Sequence, residues 1–169
     1  MEPIDGHNGP YGVPVKLAMQ QVQPDWIDYN GHMNVAYYTM AFDNAIDTFL
    51  QQELGMGEAH AARVNEGPYS LQNNVSYYAE LLEAAGFSVS VSLIDHDAKR
   101  MHLWMEMHNE AGDLAAACES MLMNVDHSTR RSTPYASWIV QRLETMQKSH
   151  NALPRPKGLG AVIGIRRKG

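Results

Sequence analysis

The sequence is short of several residue types, and each shortage excludes a class of protein. Its 169 residues include one cysteine, Cys118, so no intramolecular disulfide and no multi-cysteine zinc site is expected. Only 13 Lys and Arg stand against 19 Asp and Glu, a formal charge of -6, which disfavours general electrostatic binding to nucleic acid or to an anionic membrane. No run of about 18 apolar residues occurs, so no membrane-spanning helix is predicted. We expect a cytoplasmic protein with no nucleic-acid or membrane partner.

The familiar catalytic motifs are missing as well. There is no Gly-x-Ser-x-Gly, no His-Glu-x-x-His and no Walker-type Gly-Lys-Ser or Gly-Lys-Thr. The glycines of 158–164 lack the preceding strand and the later acidic residue of a dinucleotide loop. His96, His102 and His108 are evenly spaced, but a turn interrupts them and no convincing carboxylate cluster surrounds them. We predict neither a metal site nor a bound cofactor.

What is present suits one globular domain. The hydrophobic fraction of 44% is enough for a single core in a chain of this length. Residues 1–14 are predicted to be a flexible leader, 15–152 the folded domain and 153–169 a basic tail containing Pro and Gly. The leader carries acidic residues, Gly and Pro, unlike a secretory signal.

The hydrophobic periodicity predicts one long helix. Apolar side chains recur at intervals of three and four between Asn34 and Leu50, which places them on one helical face. Asn34 is a suitable N-cap, and Gly55 to Gly57 form a suitable stop. The predicted helix is therefore four to five turns long, by the roughly 3.6 residues of each turn.

The second half of the chain changes to a period of two. Strict alternation over 87–93 and 101–107 predicts two strands joined by a turn at 95–99. The nearly continuous apolar run over 114–125 is typical of a central strand. Further strands are predicted at 15–22 and 70–78, and a terminal helix at 137–147. This is an α+β domain, an antiparallel sheet wrapped around one central helix.

The segment 26–34, directly before the helix, is the best candidate for chemistry. Gly31 lets the backbone approach a ligand, and the unsatisfied N–H groups of the first turn, near Asn34 and Val35, form a ready oxyanion site. A carboxylate beside them, Asp28, could attack an acyl carbonyl or activate water. The same polar side chains also suit simple turn and capping hydrogen bonds, so the residues alone leave both interpretations open.

The spacing Asp28-x-x-Gly31-His32-Met33-Asn34, with Tyr38 further on, resembles the Asp-x-x-Gly-His-Val-Asn motif of the 4-hydroxybenzoyl-CoA thioesterase-like hotdog family. The opening Trp26 to Asn34 and the segments 97–102, 119–121 and 124–126 are similar to its betainyl-CoA thioesterase subgroup. Residues 70–74 read Ser-Leu-Gln-Asn-Asn where that subgroup is expected to carry Thr-x-Glu-x-His. The resemblance therefore supports the reaction more than the acyl group.

The resemblance implies a single hotdog domain that hydrolyses an acyl-CoA thioester to free acid and coenzyme A, without a metal or redox cofactor. Asp28 would act as nucleophile or general base, and the Val35 N–H would polarise the thioester carbonyl. Gly31, His32 and Asn34 complete the implied catalytic set. The family places its active site between protomers, which implies a homodimer or homotetramer.

Two further sets of residues are expected to bind the substrate. An aromatic cage could hold a cationic acyl group such as betainyl, although such rings also fill cores; the candidates are Trp26, Tyr29, Tyr37, Tyr38 and Trp104. Asn74 is a further substrate-binding candidate. The phosphates of CoA require local cations; the candidates are Lys99, Arg100, Arg130 and Arg131, with Arg166, Arg167 and Lys168 of the tail.

Two alternatives belong to other functional classes. Asp28-x-Asn30-x-His32 loosely resembles the Asp-x-Asn-Pro-x-His motif of hotdog enoyl-CoA hydratases, but Pro is absent and His comes one residue early. A non-catalytic acyl-CoA-binding protein is the other alternative, favoured if turn hydrogen bonds engage Asp28.

Overall fold

The computed structural model describes residues 3–165 and Arg167. Within these residues, seven strands and three α-helices follow in the order β1 Val15–Lys16, β2 Gln20–Gln21, α1 Val35–Phe49, α2 Glu58–Val64, β3 Glu66–Tyr77, β4 Gly86–His96, β5 Arg100–Asn109, β6 Leu114–Asp126, β7 Arg131–Ser132 and α3 Ser137–His150. A 3-10 turn, Pro24–Trp26, precedes α1, and a π-helical turn, Leu50–Leu54, continues it.

The strands form one antiparallel sheet in the order β1-β4-β5-β6-β3, with β2 also paired to β4 and β7 to β6. Val91 lies opposite Met105, Met105 opposite Cys118, and Cys118 opposite Val75. These residues belong to the inner face of the sheet, which carries the hydrophobic core. The opposite, outer face carries the alternate positions, including Trp104 and Glu119.

The helix α1 packs its apolar side on this inner face, so the α+β architecture predicted from the two periodicities is confirmed. Its buried side chains are Tyr38, Ala41, Phe42, Ala45, Ile46 and Phe49. Asn34 caps the helix as predicted, its side chain accepting from the Ala36 N–H. The helical path ends where Gly55 takes φ 71°, a left-handed conformation that glycine adopts at little cost.

Some elements differ from the sequence-based expectation. In place of the single strand expected at 15–22, the structure has two separate two-residue strands, β1 and β2, and each pairs with β4. The helix α2 was not predicted, because a helix of seven residues is too short to show a clear hydrophobic periodicity. The strand β3 begins at Glu66 rather than at residue 70, because pairing with β6 extends it through polar positions.

The start of the chain contrasts with the flexible leader expected from its composition. Tyr11 is buried, and its hydroxyl donates to the His7 carbonyl at 2.6 Å. The buried guanidinium of Arg142 donates to the backbone oxygen of Asp5 and to the side chain of Asn8, both at 2.9 Å. A buried cation needs such acceptors, so this segment is fastened to α3.

The segment after α3 crosses the outer face of the sheet. The Gly160 N–H donates to a Glu119 carboxylate oxygen at 2.7 Å, and the Asn74 amide donates to the Ala161 carbonyl at 3.0 Å. Both bonds use the main chain of the tail. Within the described residues, no helix is both long and apolar enough to span a bilayer.

Candidate active site

A tight turn before α1 holds Asp28. The Asp28 N–H donates to the His32 carbonyl at 3.1 Å, and the Gly31 N–H donates to the Asp28 carbonyl at 3.0 Å. Gly31 takes φ 82° with open space where a Cβ would stand. Beyond the turn, the Met33 N–H donates to the Leu81 carbonyl at 2.8 Å. The turn is thus fixed both internally and to the chain that follows β3.

The carboxylate of Asp28 is half-buried and only partly engaged. Its Oδ1 accepts from the Asn30 N–H at 2.8 Å, which is an Asx turn. Its Oδ2 has no partner within the described part of the chain. Because a carboxylate accepts through both oxygens, the turn orients Asp28 and leaves one oxygen available to a substrate or a water molecule.

The first turn of α1 contains a backbone donor that has no acceptor within the described residues. The Asn34 side chain accepts from the Ala36 N–H at 2.9 Å, and the Asn34 carbonyl accepts from the Tyr37 N–H at 2.9 Å. The Val35 N–H has no acceptor in the described regions. It stands at the positive end of a fifteen-residue helix, where an oxyanion is electrostatically favoured.

A cavity of about 240 Å³ adjoins this helix start. Its walls are His32, Met33, Val35, Tyr38, Tyr77, Tyr78, Ala79 and Glu80. Tyr77, Tyr78 and Glu80 were not among the predicted site residues, although a tyrosine pair at the end of a predicted strand is a visible signal. These side chains bring aromatic surface and a carboxylate to the same place as the Val35 N–H.

The predicted aromatic set does not converge within one chain. The rings of Trp26 and Tyr37 stack at 5.4 Å between centroids. Tyr38 belongs to the core, and burial raises its pKa. Tyr29 is 97% exposed, and Trp104 lies on the outer face. We expected the five rings to cluster because the sequence gives their positions along the chain. It does not show which face of the sheet each side chain occupies.

Asn74 is also placed away from Asp28. It lies on the outer face, opposite Glu119 on β6, where it holds the tail. Next to it, His102 Nε2 and Glu119 Oε1 are 2.8 Å apart. Asn74 therefore has a structural contact that the sequence did not indicate.

The four predicted CoA-binding cations lie at the other end of the sheet from Asp28. Lys99 contacts Ser132, and Arg130 donates to the Tyr69 hydroxyl at 3.1 Å. Arg131 is exposed on β7. Tyr69 stands near the start of β3, about 26 Å of extended strand from its end at Tyr77. Within one chain, these cations do not meet the site.

Arg100 at the same end is engaged with an acid. Its guanidinium is 2.6 Å from Asp97, and this interaction lowers the pKa of Asp97 to about 2. Of the basic tail, Arg166 and Lys168 lie outside the described residues. Among the residues that are described, no three His, Cys, Asp or Glu side chains converge in a way that could hold a metal ion.

A family model described as the thioesterase-like superfamily matches residues 22–143, which include the turn, α1 and the central strands. The chain belongs to this superfamily. The resemblance to the thioesterase-like hotdog family is therefore confirmed, and so is the prediction that the protein is an enzyme that hydrolyses thioesters.

Among the superfamily's relatives, the chain is 32% identical over 145 residues to a betainyl-CoA thioesterase of Pseudomonas aeruginosa, which covers 85% of this chain and 91% of the relative. It is 27% identical over 155 residues to an L-carnitine dehydrogenase/betainyl-CoA thioesterase of Rhizobium meliloti, covering 91% of this chain and 31% of that longer protein.

Two solved structures share the fold. A Staphylococcus aureus protein solved in complex with CoA gives a TM-score of 0.83 at 28% identity, covering 88% of this chain and 94% of its own. A DHNA-CoA thioesterase from the same species gives a TM-score of 0.73 at 17% identity, covering 88% and 97%. The predicted hotdog architecture is thus confirmed.

Proposed function

We propose that the active site is the turn at Asp28 together with the start of α1, and that it hydrolyses a short acyl-CoA carrying a cationic acyl group. The observation that carries this proposal is the pairing of a carboxylate with one unengaged oxygen, Asp28, and an unsatisfied helix N–H, that of Val35, on one short segment. A base or nucleophile beside an oxyanion donor is the arrangement that acyl transfer requires.

The Val35 N–H donates to the thioester carbonyl and stabilises the negative charge that develops on its oxygen. Asp28 either attacks the carbonyl carbon or takes a proton from a water molecule that attacks it. In the first case the thiolate of CoA leaves and water hydrolyses the resulting anhydride. In the second case the tetrahedral intermediate expels the thiolate directly. Both routes yield a carboxylic acid and CoA.

A betainyl group fits the cavity beside the helix start. Tyr77 and Tyr78 provide aromatic surface and Glu80 a carboxylate, and both attract a quaternary ammonium. The named activities of the Pseudomonas aeruginosa and Rhizobium meliloti relatives support the same acyl group. These residues take the place of the ring set expected from the sequence.

The proposed assembly is a homodimer formed by the free edge of β3. Within the described part of the chain, this strand pairs with β6 on one side only, and it presents exposed apolar side chains at Tyr69, Leu71 and Tyr77. Such an edge readily accepts another strand. A twofold, antiparallel pairing of β3 would bring the Arg130 end of one protomer to the Asp28 end of its partner, where cations could meet CoA. A cytoplasmic location is part of this proposal.

The test is free-thiol release from betainyl-CoA, short straight-chain acyl-CoAs, hydroxybenzoyl-CoA and crotonyl-CoA. Asp28→Asn is expected to lower turnover by about 10²- to 10⁴-fold while CoA binding persists. Asp25→Asn is the matched control, because Asp25 is exposed in the preceding 3-10 turn.

The control is expected to keep full activity. Equal turnover in wild type and Asp28→Asn would remove Asp28 from the mechanism. CoA binding without thiol release would favour the binding protein, and loss of the crotonyl double bond would favour the hydratase.

A further inference from the structure

The tail that follows α3 reaches the free edge of the sheet on the outer face. The Gly160 N–H is bonded to Glu119 of β6, and the next residue, Ala161, is bonded through its carbonyl to Asn74 of β3. The strand β3 neighbours β6 and is the last strand on that side of the described sheet. Successive residues of the tail therefore pass from β6 to β3, and the chain arrives at the sheet edge at Ala161.

The residues that come next are apolar and uncovered. Val162, Ile163 and Ile165 are 89%, 94% and 88% exposed, and we call residues 162–165 the arm. Large aliphatic side chains are among the residues most often buried in folded proteins, and a contiguous group of exposed ones is typical of an interaction surface. The arm thus begins where the sheet of its own chain ends.

A second apolar surface lies at the start of β3, also on the outer face. Met121 and Met123 alternate with the buried Leu122 and are half-buried, and Tyr69, which is opposite Met123, is 40% exposed. Directly opposed residues of antiparallel strands share one face of a sheet, so the three side chains stand together. We call Tyr69, Met121 and Met123 the edge patch.

The proposed pairing of β3 with its copy brings the arm to the edge patch of the other protomer. An antiparallel pairing over the full strand, Glu66–Tyr77, places Asn74 opposite the partner's Tyr69. Both belong to the outer face. In the same register Asn73 lies opposite the partner's Ser70, and both belong to the inner face. The pairing therefore keeps each face continuous across the dimer, and the arm, which starts at Asn74, meets the partner's edge patch.

We propose that the two protomers exchange arms, each arm crossing the edge of β3 and packing on the edge patch of the partner subunit. This inference rests on the homodimer included in the proposed function. Packing Val162, Ile163 and Ile165 on methionine and tyrosine side chains removes apolar surface from water on both partners, and the twofold axis makes the contact twice. The occupant of the edge patch is thus a second copy of this chain.

The experiment is thiol cross-linking between the arm and the edge patch. The one native cysteine, Cys118, is buried. The double variant Ile163→Cys/Met123→Cys is treated with a short bismaleimide, which joins two nearby thiols. We expect a covalent dimer as the main species on a denaturing gel. A single-chain product in which both new thiols are consumed, or a product that stays unlinked, would overturn the inference.

The matched control is Ile163→Cys/Ser88→Cys. Ser88 is half-buried like Met123, but it lies on β4, which β5 and β6 separate from β3. This variant is expected to give no more covalent dimer than Ile163→Cys alone. Equal yields of covalent dimer from the two double variants would show that the cross-link reports random collision and would overturn the exchange.

A second measurement needs no cross-linker. In sedimentation velocity, Ile163→Ser/Ile165→Ser is expected to raise the Kd of the dimer about tenfold or more, because two apolar side chains of each arm lose their contact. The far-UV circular dichroism should stay unchanged, since both side chains are exposed in one chain. Met19→Ser is the control: Met19 is 57% exposed between β1 and β2, at the opposite edge. An unchanged Kd in the serine variant would refute the arm contact.

The outcomes separate this inference from the proposed function. A dimer that cross-links between chains but releases no thiol from any acyl-CoA supports the arm exchange and overturns the proposed hydrolysis. A dimer that Leu71→Asp dissociates, but that does not cross-link between chains, overturns the arm exchange alone. A wild type that sediments as a monomer overturns the proposed assembly and the arm exchange together.

Discussion

The hydroxyl of Tyr38 accepts a hydrogen bond from the backbone N–H of Leu81 at 2.9 Å. Tyr38 lies on the buried face of α1, and Leu81 follows β3 along the chain. The Leu81 carbonyl in turn accepts from the Met33 N–H at 2.8 Å, just before the helix. Two bonds to one residue thus join α1 and its start to the chain that follows β3, next to the cavity wall formed by Ala79 and Glu80.

Replacing Tyr38 with Phe is expected to lower the free energy of unfolding by about 1 to 3 kcal/mol, because the buried Leu81 N–H loses its acceptor. The urea midpoint should fall while the m-value stays constant. Tyr37→Phe is the matched control, since Tyr37 stacks on Trp26 and its hydroxyl makes no hydrogen bond within the described chain. Equal midpoints for the two variants would contradict this view of the Tyr38 contact.

Replacing Val35 with Pro removes a backbone donor while keeping the helix. Val35 is the first residue of α1, where proline is well tolerated, and Asn34 has ψ 142°, which suits the residue before a proline. We expect a loss of about 10²- to 10³-fold in kcat with an unchanged Tm. Val35→Ala controls for the side chain and should retain activity. Full activity in Val35→Pro would show that this N–H stabilises no oxyanion.

A charge on the free edge of β3 is expected to separate the proposed dimer. Leu71 is 52% exposed on that strand, whereas Leu82, 53% exposed, lies beyond it. In sedimentation velocity, Leu71→Asp should be monomeric and Leu82→Asp should match wild type. Thiol release should fall with dissociation if the partner's cations complete the site. A Leu71→Asp variant that sediments like wild type would place the interface elsewhere.

Acid is expected to weaken the fold through His150. Its Nδ1 accepts from the Leu93 N–H at 2.9 Å and its Nε2–H donates to the Gly12 carbonyl at 2.8 Å. Both nitrogens of the neutral ring therefore form hydrogen bonds. Burial lowers the pKa of His150 below its ordinary 6.5. Below about pH 6.5 the unfolded chain takes up a proton that the folded chain does not, and stability falls by up to about 1.4 kcal/mol per pH unit.

This loss continues until the pH reaches the lowered pKa of the folded state, and burial of His60 acts in the same direction. Urea unfolding at pH 7.5, 6.5 and 5.5 should therefore show a shallower decline in His150→Gln than in wild type. His108→Gln, on the outer face, should keep the wild-type decline. Parallel declines in wild type and His150→Gln would refute the role of His150.

Patterns within the sequence predicted most of the fold. The 3.6-residue period located α1, the two-residue period located β4 and β5, and Asn34 caps the helix as expected. Contacts that depend on the face of the sheet were not accessible in this way. Trp104 and Asn74 are separated from Asp28 because alternate strand residues point to opposite faces. Tyr78 reaches the cavity because β3 ends beside α1, which is a tertiary relationship.

The tail is held by its main chain, through the Gly160 N–H and the Ala161 carbonyl, while Arg155 and Lys157 take no part in these two bonds. Arg155 adds a bond within the tail, because its guanidinium donates to the Leu159 carbonyl at 3.5 Å. Lys157 is exposed and makes no bond within the described residues, so another charge at this position would leave the path of the tail unchanged, which makes it a natural position for altering the surface charge of the outer face.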